Sequence, residues 1–314
     1  MKLVIINKMA PERLAAIAAL VPGSVVEAYA SVKEAAGHVA DADAVALWGF
    51  QNVEPLLEEG KQIRWVHSLS DGVERLLTPS MMARPILLTN SHGVHDKSVS
   101  EHAMAMLLSW FHNIPQVTRQ KEARIWKRPK NQMLDGKTML LAGFGGIGRA
   151  IAERAKVFGM KIIAVRNHPA KDLLADVTVT SENLLSVLPD ADVVVAALPT
   201  TPSTNGFFDD KAFAAMKPGA FFINIARASV VDEAALLTAL ETGKLAGAAL
   251  DVFSKEPLPE DHPFWAMENV IITPHVASFI PDFWERVLAL LEKNFIAFSK
   301  EETLENIIDK GKGY

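Results

Sequence analysis

The stretch Met139-Leu140-Leu141-Ala142-Gly143-Phe144-Gly145-Gly146-Ile147-Gly148-Arg149-Ala150 limits what this chain can fold into more than any other. An apolar run of strand character ends at Gly143, a glycine-rich turn follows, and helical periodicity begins at once through Ile151 and Ala152. The glycines at 143, 145 and 148 fall as G-x-G-x-x-G. The first permits a tight turn, the second lets backbone N–H groups approach a pyrophosphate, and the third lets the helix pack close to the strand. The helix N-terminus adds unpaired N–H donors and a partial positive charge, both suited to an anion. Glycine-rich turns also occur in plain βα connections. Here strand, turn and helix stand in the required order, and Lys161-Ile162-Ile163-Ala164-Val165 supplies the second strand of a βαβ unit. The stretch therefore predicts a dinucleotide site with Gly143, Phe144, Gly145, Gly146, Ile147 and Gly148 against the phosphates.

The chain around it has 314 residues, room for two domains of ordinary size. A net charge of −5 carries no basic excess, which argues against nucleic acid as a partner. With no cysteine, a disulfide, a cysteine nucleophile and a thiolate metal site are all excluded. The first residues, Met1-Lys2-Leu3-Val4-Ile5-Ile6-Asn7, read as a short strand without the longer apolar core of a signal peptide, and no apolar run reaches the length of a membrane span. These features predict a cytoplasmic protein with no membrane attachment.

Strand patterns over residues 3–6, 24–28, 44–48, 63–68 and 86–90 alternate with helical ones, the signature of a parallel sheet covered on both faces. A long helix is expected over 99–112, followed by a solvated, charged stretch at 120–130 that contains Trp126. About six further strands follow residue 138, and a closing helix over 283–298 is expected to return to the first domain. The predicted fold is α/β, with two Rossmann-like doubly wound domains and a cleft between them. A flavodoxin-like substrate domain comprises residues 1–98 and 282–314, and a dinucleotide-binding domain spans 99–281.

In NAD-binding units a carboxylate at the end of the second strand accepts hydrogen bonds from the adenosine ribose. Here that strand ends in Val165-Arg166-Asn167-His168, with no carboxylate in place. Arg166 would pair with a 2′-phosphate, so NADP(H) is the expected cofactor, with NAD(H) possible. The bland alternative is a solvated surface arginine.

Three later segments carry the polar groups best placed for chemistry: Ile223-Asn224-Ile225-Ala226-Arg227-Ala228, Ala249-Leu250-Asp251-Val252-Phe253-Ser254-Lys255-Glu256-Pro257 and Ile272-Thr273-Pro274-His275-Val276-Ala277-Ser278. Each follows the C-terminal end of a strand pattern, the edge where open α/β sheets place ligands. Singly, Arg227, Glu256 and His275 each have a dull surface reading. Together, at successive strand ends beside a dinucleotide loop, they point to catalysis.

With the fingerprint, Leu198-Pro199-Thr200 and the run from Asn224 to Leu236, these segments make the sequence resemble the D-isomer-specific 2-hydroxyacid dehydrogenase family. That family includes glyoxylate/hydroxypyruvate reductases, D-lactate dehydrogenases and phosphoglycerate dehydrogenase. The resemblance covers nearly the whole chain and is weakest over the first 60 residues.

The resemblance implies reduction of a small-molecule 2-keto acid to a D-2-hydroxy acid. Arg227 would bind the substrate carboxylate and keto oxygen, a task that suits its fork of donors. His275 would donate a proton to the carbonyl oxygen, and Glu256 would hydrogen-bond the imidazole and favour its charged form. Leu198, Pro199, Thr204, Ile225, Ala226, Asp251, His275 and Ala277 would border the cofactor, with Asp251 towards the nicotinamide. Ser70-Asp71-Gly72-Val73 resembles the loop whose N–H groups hold the substrate carboxylate, with Trp48 and Leu69 lining the pocket. The family also implies a homodimer built on the cofactor domain and no metal, although His92, His95 and His102 cluster in sequence.

Three positions depart from the family pattern. Ala228 stands where glycine usually follows the arginine, Asp71 puts a carboxylate in the substrate loop, and His112 replaces an arginine common at the end of the long helix. They bear on the substrate rather than the reaction. Some relatives of this fold are corepressors that use the nucleotide-bound dimer as a binding platform, and that is the alternative reading.

Overall fold

The computed structural model describes residues 1–73, 75–167 and 171–313. The chain divides into two compact units, Met1–Val94 with Ile280–Tyr314, and His95–Phe279.

The first unit runs β1 (Lys2–Ile5), α1 (Pro11–Ala19), β2 (Val25–Ala28), α2 (Val32–Ala36), β3 (Ala44–Leu47), α3 (Glu54–Glu59), β4 (Trp65–Ser68), α4 (Pro79–Ala83) and β5 (Leu87–Thr89). Its five strands are all parallel, in the order β2-β1-β3-β4-β5, which is the flavodoxin-like arrangement. Alternate residues of β3 face opposite apolar clusters. Val45 and Leu47 pack with Leu56, Leu57, Val66 and Leu88, while Ala44 and Ala46 pack with Leu3, Ile5, Trp65, Leu291 and Phe295. Both faces are thus buried, and the strands read as continuous apolar runs rather than alternating ones. The closing helix Phe283–Ser299 supplies the second cluster with Val287, Leu288, Leu291 and Phe295. Its Asn294 is fully buried; the side chain accepts from Glu305 N–H at 2.7 Å and donates to Glu305 C=O at 3.1 Å. The tail after it returns along β5, where Thr89 and Ile307 form an antiparallel bridge and Ile308 N–H donates to Leu88 C=O.

The second unit runs α5 (Asp96–Phe111), α6 (Ile114–Glu122), β6 (Thr138–Ala142), α7 (Gly146–Val157), β7 (Lys161–Val165), β8 (Val177–Val179), α8 (Leu184–Val187), β9 (Val193–Ala196), α9 (Asp210–Ala215), β10 (Ala220–Asn224), α10 (Glu233–Glu241), β11 (Leu245–Leu250) and β12 (Val270–Ile272). All seven strands are parallel, in the order β12-β11-β10-β9-β6-β7-β8, against an expected count of about six. The direction of winding reverses between β6 and β9, the switch point where such sheets bind ligands. Leu140 and Val194 lie in the cluster on one face, Leu141 and Val195 in the cluster on the other.

Helix α6 was not expected from the sequence. It presents no buried residue, so it lacks the apolar stripe that marks a helix in sequence. It is separated from α5 by Asn113 in the left-handed conformation (φ 54°), and Pro115 stands in its first turn. Helix α5 begins at Asp96 rather than 99, because its entry is polar. Among the described residues, no helix is long and apolar enough to cross a membrane.

Candidate active site

The three fingerprint glycines are required for three different reasons. Gly143 sits at φ +95°, and a Cβ there would lie 2.3 Å from Ala197 O, so the turns after β6 and β9 touch at the switch point. Gly148 is buried, and its Cβ would lie 2.2 Å from Gly143 O, which lets α7 press onto its own turn. Gly145 is exposed and a Cβ there would meet nothing within 4 Å. The protein thus leaves an open cradle at the one glycine assigned to the pyrophosphate, beside the N-terminus of a twelve-residue helix. Gly146 faces the Asp96 carboxylate, which a Cβ would approach to 2.1 Å. Phe144 is buried and Ile147 half-buried.

This arrangement separates two variants. Gly143→Ala is expected to lower the stability of the protein by about 2 kcal/mol or more, through strain at positive φ and collision. Gly145→Ala is expected to stay within about 0.5 kcal/mol of the parent while losing dinucleotide affinity on the order of tenfold. Urea melts and fluorescence titration with the dinucleotide measure the two effects; equal stability losses would contradict the assignment.

At the end of β7, Arg166 is half-buried and donates its N–H to Val179 O, while Asn167 is exposed and accepts from Ser181 Oγ at 3.4 Å. His168 lies outside the described residues. Asp172, the first carboxylate after the strand, forms an ion pair with Arg149 of α7. Leu198 is half-buried and Pro199 exposed. Thr204 is buried and ties their loop, donating to Pro199 O at 2.6 Å and accepting from Thr201 N–H at 2.8 Å.

The catalytic candidates follow β10, β11 and β12. After β10, buried Asn224 braces the turn by accepting from Ala226 N–H and donating to Arg227 O. Ile225 and Ala226 are buried, and half-buried Arg227 donates through Nη1 to Ala226 O at 2.8 Å. After β11, Glu256 Oε1 accepts from Phe253 N–H at 3.0 Å, and its Oε2 lies 2.8 Å from His275 Nδ1. Pairing Nδ1 with a carboxylate makes it the protonated nitrogen and leaves Nε2 to face a substrate. The His275 side chain is 48% exposed, so that face is accessible within this unit.

After β12, His275 sits at φ +54°, a left-handed conformation that strains a residue with a Cβ. Asp251, 1% exposed, holds the turn: Oδ1 accepts from Thr273 Oγ1 at 2.6 Å and Val276 N–H at 3.0 Å, and Oδ2 accepts from Ala277 N–H at 3.1 Å. Ala277 is itself buried.

In the first unit, the carbonyls of Ser70 and Gly72 accept from Ser68 Oγ, and that of Asp71 accepts from Asn90 Nδ2 at 2.6 Å. Gly49 N–H donates to Ser70 Oγ, and a Cβ on Gly49 would lie 1.8 Å from Gly72 O. With the carbonyls occupied, the N–H groups of Gly72 and Val73 have no acceptor among the described residues, as a carboxylate-binding turn requires. The Asp71 carboxylate pairs with His92 Nδ1 at 2.9 Å. Trp48 is half-buried and stacks on Phe50, Phe283 and Trp284, whereas Leu69, expected to line the pocket, is fully buried in the core.

The histidines that cluster in sequence serve separate networks, His92 with Asp71 in the first unit and His102 with Thr273 in the second. Among the described residues no group of His, Asp and Glu is arranged to hold a metal. A cavity of about 340 Å³ in the second unit is lined by Lys137, Asp192, Ala220 and Ala246. These residues mark the N-terminal edge of the sheet, the edge away from the catalytic candidates.

A seven-stranded doubly wound sheet with an open glycine turn and a His–Glu pair past successive strand ends defines a dinucleotide-dependent oxidoreductase. Residues 104–277 match the model of the D-isomer specific 2-hydroxyacid dehydrogenase NAD-binding domain. The chain is 32% identical over 282 residues to a glyoxylate reductase of Pyrococcus furiosus, covering 87% of this chain and 84% of that protein. Two crystal structures are each 27% identical over 100% of this chain and 99% of theirs. One is a D-isomer specific 2-hydroxyacid dehydrogenase from Xanthobacter autotrophicus in complex with NADPH and MES, with a TM-score of 0.87. The other is an NADPH-dependent glyoxylate/hydroxypyruvate reductase from Sinorhizobium meliloti in complex with NADP and sulfate, with a TM-score of 0.86. The chain belongs to the D-isomer specific 2-hydroxyacid dehydrogenase family and is an NAD(P)-dependent oxidoreductase of that family.

Proposed function

We propose that the protein reduces a 2-keto acid to the D-2-hydroxy acid, with Arg227 as substrate clamp, His275 as general acid and Glu256 as its partner, and that it prefers NADPH. The observation that carries the reaction is the 2.8 Å contact between His275 Nδ1 and Glu256, which leaves Nε2 for the substrate. The reduced dinucleotide supplies a hydride to the carbonyl carbon. His275 Nε2–H gives its proton to the carbonyl oxygen, and the Glu256 carboxylate stabilises the imidazolium before transfer. Arg227 neutralises the substrate carboxylate and polarises the keto oxygen, so proton donor and clamp are both side chains of this chain. In the first unit, the turn at Ser70, Asp71, Gly72 and Val73 offers N–H groups of a kind suited to a carboxylate. The buried position of Asp251 supports a role in shaping the nicotinamide side.

The cofactor preference rests on Arg166 at the end of β7, where Asp172 is already paired with Arg149. Arg166→Ala is expected to lower kcat/KM with NADPH by about 10- to 100-fold, the worth of one charge-assisted hydrogen bond, and to change it little with NADH. Steady-state assays with glyoxylate, hydroxypyruvate, pyruvate and bulkier keto acids test both parts. A parent enzyme that favours NADH sinks the cofactor assignment. Tight nucleotide binding without turnover of any keto acid sinks the reaction and favours a corepressor-like role.

A cytoplasmic homodimer built on the second unit is part of the same reading. Ile125, Trp126 and Met133, in the segment after α6, are 56%, 92% and 72% exposed, an apolar surface that a second copy would cover. Sedimentation equilibrium at micromolar concentration is expected to give twice the chain mass; a monomer would refute it.

A further inference from the structure

We infer that His102 is a positioning residue for the catalytic turn, acting through Thr273. The inference rests on the assignment of His275 as general acid. His102 lies on α5, and its Nε2 stands 3.0 Å from Thr273 Oγ1 and 3.5 Å from Asp251 Oδ1. Thr273 spends its own proton on Asp251 Oδ1 at 2.6 Å. Its oxygen is therefore the acceptor towards the ring, and His102 Nε2 is the donor. The result is a one-way chain, His102 Nε2–H to Thr273 O–H to the Asp251 carboxylate, whose other bonds run to the N–H groups of Val276 and Ala277.

These bonds flank His275 on both sides. Its left-handed backbone is of a kind that costs about 1–3 kcal/mol and persists only where the surroundings over-determine it. Thr273 N–H donates to Leu250 O, fixing the turn to β11, and its side chain is held between Asp251 and α5. Met106, one helical turn beyond His102, adds a sulfur 3.8 Å from the same hydroxyl. The face of α5 that carries 102 and 106 thus fixes, with Asp251, the rotamer of Thr273. Thr273 in turn sets the Asp251 carboxylate on which the position of His275 depends.

In the full-length protein, His102→Leu keeps the shape of the helix face and removes the donor. It is expected to lower kcat for keto-acid reduction by on the order of tenfold to a hundredfold, the scale of misplacing a reacting group. KM for the dinucleotide should stay within about twofold, because no fingerprint residue is touched. His102→Gln restores an N–H at comparable reach and is expected to recover most of the loss. A His102→Leu enzyme within twofold of the parent overturns the inference, as does a Gln variant as slow as the Leu variant. His275→Gln, assayed alongside, separates the two levels. If that variant keeps its rate, the general-acid assignment fails. If it loses activity and His102→Leu does not, only the role of His102 fails. Nitrogen-15 spectra of the parent protein give an answer independent of any variant's folding. The proton of the His102 ring is expected on Nε2, and a ring protonated on Nδ1 alone overturns the chain of donors.

Discussion

Replacing His275 with glutamine is expected to slow keto-acid reduction at neutral pH by on the order of 10²–10⁴-fold, the usual worth of positioned proton transfer. Glutamine can still donate a hydrogen bond to a carbonyl oxygen, so substrate binding should survive and KM should move little. It has no proton to release, and the developing alkoxide must draw one from water. The pair geometry sharpens the expectation. Glu256 is anchored by Phe253 N–H and meets Nδ1 at 2.8 Å, so the carboxylate can exert its field only through an imidazole. Once His275 is gone, Glu256→Gln should cost little more, because residues acting as a unit are not additive. Single-turnover measurement of cofactor oxidation isolates the step. A His275→Gln enzyme within about tenfold of the parent would remove His275 from the chemistry.

Acidification is expected to destabilise the first unit through His67, by about 5 kcal/mol between pH 6.5 and pH 3. The ring is fully buried, and burial pulls its pKa from 6.5 down to about 3. The hydrogen-bond network agrees with a neutral ring. Trp65 Nε1 donates to Thr89 Oγ1 at 2.8 Å, leaving the threonine proton for His67 Nδ1 at 2.8 Å; Ser91 Oγ spends its proton on Ser68 O and accepts from Nε2 at 3.4 Å. A second ring proton would face the threonine donor. Above pH 6.5 the ring is neutral in the folded and unfolded chains alike, and the contribution is constant. Below it the unfolded chain takes up a proton that the folded one refuses, and stability falls by about 1.4 kcal/mol per pH unit until the folded pKa is reached. Urea melts of the parent and His67→Gln at pH 7.5 and 4.5 should diverge by about 3 kcal/mol, the variant losing less. Parallel pH profiles, or a His67 resonance that titrates near 6.5, would contradict this.

Both sheets were legible because parallel strands buried on two faces leave unbroken apolar runs such as Val193–Ala196. What escaped was an element without an apolar signal. Helix α6 buries nothing, whereas β8, three residues long with an exposed first position, was readable only to within one residue of its ends. The residues that follow the catalytic strand ends could be read directly, since Arg, Glu and His there are scarce and chemically pointed. Their supports could not. Asn224, Thr273 and His102 are ordinary polar residues whose roles depend on partners folded against them, and His102 meets Thr273 across 171 positions of chain. Proximity in sequence was equally uninformative in the other direction, as the different partners of His92 and His102 show.

The antiparallel bridge between Thr89 and Ile307 has a consequence for how the protein is made. The second unit is one uninterrupted stretch, so its whole sheet is present once residue 279 has left the ribosome. The first unit, although it begins at residue 1, must wait for the closing helix to cover one face of its sheet and for the tail to meet β5. Its Met81 and Arg84 carbonyls meet Lys310 only once residue 310 has emerged. Order of synthesis and order of completion are therefore reversed: the nucleotide-binding half can be finished while the half translated first still exposes the apolar surface of Leu3, Ile5 and Trp65.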